Sequence, residues 1–308
     1  MRRRRFLGLA AGLIIAAMAS TPAEARDIRP WFGWSTNTIE LTELTEDATG
    51  VAPAALSTYA PFSELFPDAW AAEAVRRSVP LVVSWEPWDW NRPAGQDQPE
   101  YSLASIAAGV HDPYIREWAR AAAASGATVM VRFAAEMNGD WHPWSKGDSA
   151  SDFVSSWRHL HRVFAQEGAA NVRWVFNPTA HFDGAAPIRS FWPGSAYVDW
   201  LAVDGFNWYG VLPHRPYQSA DEVFADTIAR LRALDPRLPI MIAECGAGPR
   251  AKDTWIPDLL ATAPRLGVRL VIWFEHDKET DWRFASADLP APMPRLLREA
   301  GWRQPVRP

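Results

Sequence analysis

Two glutamates carry the chemistry this sequence could do. Glu136 follows the apolar run of VMVRFAAE and leads into MNGDWHPW, and Glu244 closes the run in PIMIAECGAG. Carboxyls set straight after buried runs stand at the mouth of a core, where neighbouring groups can fix their charge. Two of them about 5 to 5.5 Å apart can break a glycosidic bond with retention, one protonating the leaving oxygen while the other attacks the anomeric carbon. A gap of about 6.5 to 9.5 Å admits a water and gives inversion. Singly, each acid has a structural reading: Glu136 as a solvated loop acid, Glu244 as a buried acid paired with an arginine. Together, with tryptophans beside Glu136, they point to an acid and nucleophile pair.

Such a pair needs a scaffold that brings distant segments together. Short apolar runs recur at Trp31–Trp34, Ala55–Tyr59, Leu81–Trp85, Val129–Phe133, Val172–Phe176, Leu201–Phe206, Ile240–Ala243 and Leu270–Phe274, the second resting mainly on its place in the series. Helical patterns lie between them. Phe153, Val154, Trp157, Leu160 and Phe164 share one face behind a cap at Ser149 or Ser151, Ser219 with Glu222 forms a capping box, and Ala-rich Tyr114–Ser125 ends at Gly126. Runs apolar on both faces and alternating with helices predict a parallel sheet covered on both sides, and eight such units predict a single (β/α)8 TIM barrel, α/β in class. Polar residues just past its strand ends form the active face. Strands about 4.8 Å apart and tilted by about 36° give a radius near ~7.7 Å, so Cα atoms three strands apart are roughly 14 Å apart, and inward glutamates spanning about 4 Å each leave ~6 Å between carboxyls. That distance leans towards retention.

Residues 1–25 predict an export signal: Arg2 to Arg5, an apolar stretch from Phe6 to Ala19, and the small-x-small sequence Ala23-Glu24-Ala25. Arg-Arg ahead of Phe6-Leu7 also resembles a twin-arginine signal. Residues 26–308 are then one catalytic domain, secreted or periplasmic, free of the membrane after cleavage and expected to act as a monomer. The net charge of −5 becomes more negative once the four arginines leave, which excludes a nucleic acid partner, and one cysteine excludes an internal disulfide. The 18 tryptophans stand out. Trp85, Trp88, Trp90, Trp141 and Trp144 lie beside Pro, Gly, Asp or Asn in loop-like stretches, where indole faces can stack on sugar rings. Neither metal nor cofactor is expected. His159 and His161 fall on opposite sides of a helix, the acids Glu275, Asp277, Glu279 and Asp281 read as a solvated loop, Cys245 as packing, and no nucleotide motif is present.

The segment RFAAEMNGDWHPW resembles the Arg-x-x-His-Glu-Met-Asn-Gly-x-Trp-x-x-Trp signature of glycoside hydrolase family 26, mainly β-mannanases with some mixed-linkage β-glucanases and β-1,3-xylanases. YAPFSELFP, PLVVSWEPW, VDWLAVDGFNWYG, IMIAECG and VIWFEHD are similar to the family's other strand ends, in order, across the mature chain. The resemblance implies a retaining (β/α)8 enzyme acting on a β-linked polysaccharide or oligosaccharide, with Glu136 as general acid/base and Glu244 as nucleophile. It further implies that Tyr209 orients the nucleophile, that Trp273 is a platform beneath the reacting sugar, that Arg132 holds a carboxylate ionised, and that Asn138, Trp141 and Trp144 line the cleft, with Trp85, Trp88 and Asn207 among the residues that contact or orient substrate. One position departs from the pattern: Ala135 stands where the family has a sugar-contacting histidine, and His142 is either its substitute or an ordinary loop residue. Mannan and mixed-linkage glucan both stay open, as do endo and exo action. The rival reading is a non-catalytic carbohydrate-binding protein on a degenerate glycosidase barrel.

Overall fold

The computed structural model describes residues 29–92, 98–146 and 148–303; the expected export signal lies outside them. Eight parallel strands close on themselves in sequence order: β1 Trp31–Ser35, β2 Leu56–Pro61, β3 Leu81–Glu86, β4 Val129–Phe133, β5 Val172–Phe176, β6 Trp200–Asn207, β7 Ile240–Ala247 and β8 Val268–Phe274, with β8 paired to β1. Every expected run is a strand. Glu244, however, lies inside β7, which continues three residues beyond it.

Period-two alternation divides each strand between two cores. Ala55, Val82, Met130, Val175, Ala202, Met241, Ala243, Leu270 and Ile272 fill the barrel interior, with Trp31 and Trp200 packed against them from the starts of β1 and β6. The intervening residues point outward and pack on helices: Val83 and Trp85, Val131 and Phe133, Ile242 and Cys245, Val271 and Trp273. The helix Ala150–Gln166 buries Phe153, Trp157, Leu160, Val163 and Phe164 and starts in a capping box at Ser149 with Asp152, while Ala220–Arg232 starts in the expected box at Ser219 with Glu222. Between β5 and β6 the described chain forms only the 3-10 turns Ile188–Phe191 and Ser195–Tyr197. Pro178, Pro187 and Pro193 punctuate that stretch and withhold the backbone donors a regular helix needs.

Large aromatics form much of the outer layer. Trp34, Trp85, Trp118, Trp157, Trp255, Trp273 and Trp282 are fully buried, and Trp85 stacks on Trp118 at 4.6 Å. Most of these rings therefore fill core. The acidic stretch after β8 also departs from expectation, since Glu275 is buried rather than solvated. It accepts backbone N–H groups from Phe284 and Ala285, and burial pushes its carboxyl up to about 7.

Candidate active site

One step above the apolar filling of the barrel, the same inward positions turn polar. Ser57, Ser84, Arg132, Asn177 and Asp204, each two residues beyond Ala55, Val82, Met130, Val175 and Ala202, are all buried. Arg132 ties this layer together. Its Nε donates to Asn177 Oδ1 at 2.7 Å, Nη1 to Ser84 Oγ at 2.8 Å and Glu244 Oε1 at 2.7 Å, and Nη2 to Asp204 Oδ2 at 2.5 Å. Burial alone would lower the guanidinium's affinity for its proton, but the two carboxylates outweigh that and raise it. One cation thus serves two acids. Burial, helped by the charges of Glu244 and Glu136 and opposed by Arg132, pushes Asp204 well above the ordinary aspartate range; its Oδ1 is buried without a hydrogen-bond partner among the described residues.

Strict alternation would turn Glu244 away from this layer, because Ala243 before it already faces inward. The register resolves this. Val203 pairs with Ile242 but Asp204 pairs with Glu244, and the pairing with β8 slips at the same place. The extra residue is a bulge, and it re-aims Glu244 into the barrel mouth while Cys245 returns to the outer core. The Glu244 side chain is 14% exposed, anchored at one oxygen and open to the cleft. Tyr59, inward on β2, stands in the same field. Its hydroxyl is buried without a hydrogen bond among the described residues, and burial together with the Glu244 charge raises it well above the ordinary tyrosine range. Phe274 and His276 face its ring at 6.5 and 5.9 Å.

Glu136 sits past the end of β4 in a turn with positive φ at both Ala134 (46°) and Glu136 (58°), conformations an L-residue adopts at a cost. Neighbours impose them: Glu136 N–H donates to Asn177 O at 2.8 Å, and Asn138 exchanges two hydrogen bonds with the Thr179 backbone at 2.9 and 3.1 Å. A Cβ on Gly139 would come within 2.7 Å of the Trp141 ring, so glycine there lets the indole swing back over the turn. Trp141 Nε1 donates to Glu136 Oε2 at 2.7 Å and His142 Nε2 lies 3.1 Å from the same oxygen. His142 in turn stacks on Trp144 at 4.3 Å and 10°, and Trp144 Nε1 donates to Ala135 O. Both contacts fall on Oε2, and no hydrogen bond among the described residues occupies Oε1. Burial pushes the Glu136 carboxyl up, but the hydrogen bonds and charge of His142, the Trp141 N–H and the Arg132 charge outweigh it and hold the group below the ordinary glutamate value. His142 is therefore no ordinary loop histidine.

Several expected contacts lie elsewhere. Trp85 and Trp273 follow the inward residues Ser84 and Ile272, so both point outward. Trp85 donates to Tyr114 Oη and Trp273 to Trp282 O, and neither can touch a sugar. Trp144 is buried as the base of the His142 stack. Asn138 and Asn207 are buried backbone staples, Asn207 binding Gln218 O and the Tyr209 N–H. Tyr209 is exposed beside Tyr217 and makes no hydrogen bond to Glu244 among the described residues; the inward residue of β6 above Asp204 is Phe206, packed on Phe274 and Trp282. Trp88, Trp90 and Trp141 stay at the rim, Trp90 and Trp141 being 43% and 44% exposed.

A closed parallel barrel whose C-terminal mouth holds a guanidinium-bound carboxylate and a second, indole-bound carboxylate has the parts that hydrolysis of a glycosidic bond requires. The model of glycosyl hydrolase family 26 matches residues 80–234, just over half the chain. Endoglucanase H of Acetivibrio thermocellus is 32% identical over 218 residues, 67% of this chain and 23% of that protein. The mannan endo-1,4-beta-mannosidase A and B of Caldalkalibacillus mannanilyticus is 32% identical over 174 residues, 51% of this chain and 31% of that one. The chain thus spans less than a third of either relative. Among solved structures, a family 26 β-mannanase from Bacteroides ovatus superposes with a TM-score of 0.63 at 17% identity, covering 88% of this chain and 86% of that one, and a family 26 protein from Muricauda sp. with 0.62 at 18%, covering 89% of each. The chain belongs to glycosyl hydrolase family 26.

Proposed function

We propose that this chain is an exported, retaining endo-β-glycanase that cleaves mixed-linkage β-1,3-1,4-glucan, with β-1,4-mannan as the alternative polymer, Glu244 being the nucleophile and Glu136 the general acid/base. The observation that carries this reading is the Arg132 ion pair: it anchors Glu244 by one oxygen at the cleft floor, while Oε2 of Glu136 is held and Oε1 is left for the substrate. Glu244 attacks the anomeric carbon as Glu136 gives its proton to the departing oxygen. Glu136 then takes a proton from water, which displaces Glu244 and frees the sugar with its configuration kept. Greater coverage by the endoglucanase than by the mannosidase favours glucan. Reducing-end release from barley-type β-glucan, glucomannan, galactomannan and β-1,3-xylan tests this, with the glucan expected to be cut fastest. Oligosaccharide binding without turnover of any polymer overturns hydrolysis in favour of a binding protein, and faster cleavage of galactomannan overturns the choice of polymer.

The hydrogen bond and charge of His142 favour the Glu136 carboxylate, and an acid catalyst works only while it holds its proton. His142→Asn removes the charge, lets burial dominate and raises the Glu136 pKa. The alkaline limb of kcat/KM is therefore expected to move to higher pH. Rates measured across pH check this, and an unmoved alkaline limb would show that His142 does not govern the acid.

A further inference from the structure

β3 ends on a third carboxylate of the cleft. Val82, Ser84 and Glu86 share the inward face; burial raises the Glu86 carboxyl above the ordinary glutamate value, the Trp88 and Trp90 N–H groups and the His142 charge opposing that and the Glu244 charge adding to it. The segment that follows, PWDW, folds back onto it. Trp88 Nε1 and Trp90 Nε1 both donate to Oε2, at 2.7 and 2.8 Å. Buried Gln98 holds the fold-back by exchanging two hydrogen bonds with the Asp89 backbone, and the Phe62 N–H binds the carbonyls of Glu86 and Trp88. Trp88 also meets Trp144 edge to face at 6.1 Å, so one aromatic wall runs from Glu86 to the histidine that holds Glu136. Two indoles saturate Oε2, while Oε1 accepts no hydrogen bond among the described residues and is not sealed from solvent. The loop therefore fixes a carboxylate in one orientation with a single oxygen left to accept.

We propose that Glu86 Oε1 is a hydroxyl-reading group for a neutral sugar next to the one being cleaved, with the half-exposed ring of Trp90 at the rim of the same subsite. This rests on the glycanase reading above and deepens it. A free carboxylate oxygen accepts up to two hydroxyl donors and repels a uronate, so with Glu136 and Glu244 nearby the glycan must be uncharged.

Glu86→Gln is the test. Its amide oxygen stays with the two indole N–H groups, which turns the –NH2 into the cleft and replaces an acceptor with a donor at unchanged shape. On the polymer that the wild type cuts fastest, kcat/KM is expected to fall at least tenfold, mainly through KM, with the thermal midpoint unmoved. Trp90→Phe, at an exposed ring, is expected to lose a few-fold in the same direction. A change under twofold in Glu86→Gln overturns the proposal, as does a loss confined to kcat with KM unchanged. If the wild type cuts no polymer, the glycanase reading fails on its own. Calorimetric titration of cello-oligosaccharide and mixed-linkage tetrasaccharide into wild type and Glu86→Gln then decides this one: at least tenfold weaker binding supports it, and equal binding overturns it.

Discussion

Glu244→Ala is expected to lower kcat on soluble β-glucan by at least about 10⁴-fold, because no covalent intermediate can form without the attacking carboxylate. The fold is expected to survive. Arg132 keeps Asp204, Asn177 and Ser84 as partners, so the substitution removes one of two acids competing for one cation. Glu244 is among the charges that push Asp204 up; without it Asp204 ionises more readily and pairs with Arg132 alone. Stability should hence change by no more than about 1 kcal/mol, the open cleft hydrating the small void. Added azide, a small nucleophile that fits the vacated space, should restore turnover and yield a glycosyl azide of inverted configuration. Initial rates, a melting curve and product analysis check the three parts. Near-wild-type turnover of the unaided variant would remove Glu244 from the chemistry.

The apolar runs, their order and the two glutamates were legible because buried strands and helix caps are local signals: Ser219 with Glu222 is a capping box in sequence and in structure. The direction of a side chain at a strand end is a second signal, and it explains most of the departures. Counting by twos from Val82 or Ile272 turns Trp85 and Trp273 outward and selects Ser84, Glu86 and Phe274, and counting on from Asp204 selects Phe206 over Tyr209. The same count marks Glu86 in WEPW and Tyr59 in YAP as inward residues. Two features lie beyond such counting. The bulge that turns Glu244 inward depends on the register of three strands, and the His142 contact depends on positive φ at Ala134 and Glu136, residues with no sequence preference for it. Helix loss between β5 and β6 was foreshadowed by its prolines.

Arg132→Met should be the most destabilising single change in the cleft. The guanidinium is fully buried, and its removal leaves Asp204 and Glu244 facing each other without a cation, with Asn177 Oδ1 and Ser84 Oγ deprived of their donor. Breaking a buried ion pair from one side costs about 3 to 5 kcal/mol. That loss should depend on pH in a definite direction. Without Arg132, burial has no opposing charge at Asp204, and its carboxyl is raised further above the unfolded value. A group raised in this way favours the fold below its unfolded pKa and loses that contribution as pH climbs through the folded one. The deficit against wild type is therefore expected to be smallest near pH 4 and largest near neutrality. Denaturant midpoints at the two pH values measure it, and a deficit independent of pH would mean that lost packing, not charge, is the cause. Arg132→Lys separates the two roles of the side chain. An ammonium restores the positive charge but cannot span Asn177, Ser84, Glu244 and Asp204 as the planar fork does, so stability should recover more than kcat. Activity returning in step with stability would show that charge alone holds Glu244 in its attacking position, and that the fork is dispensable.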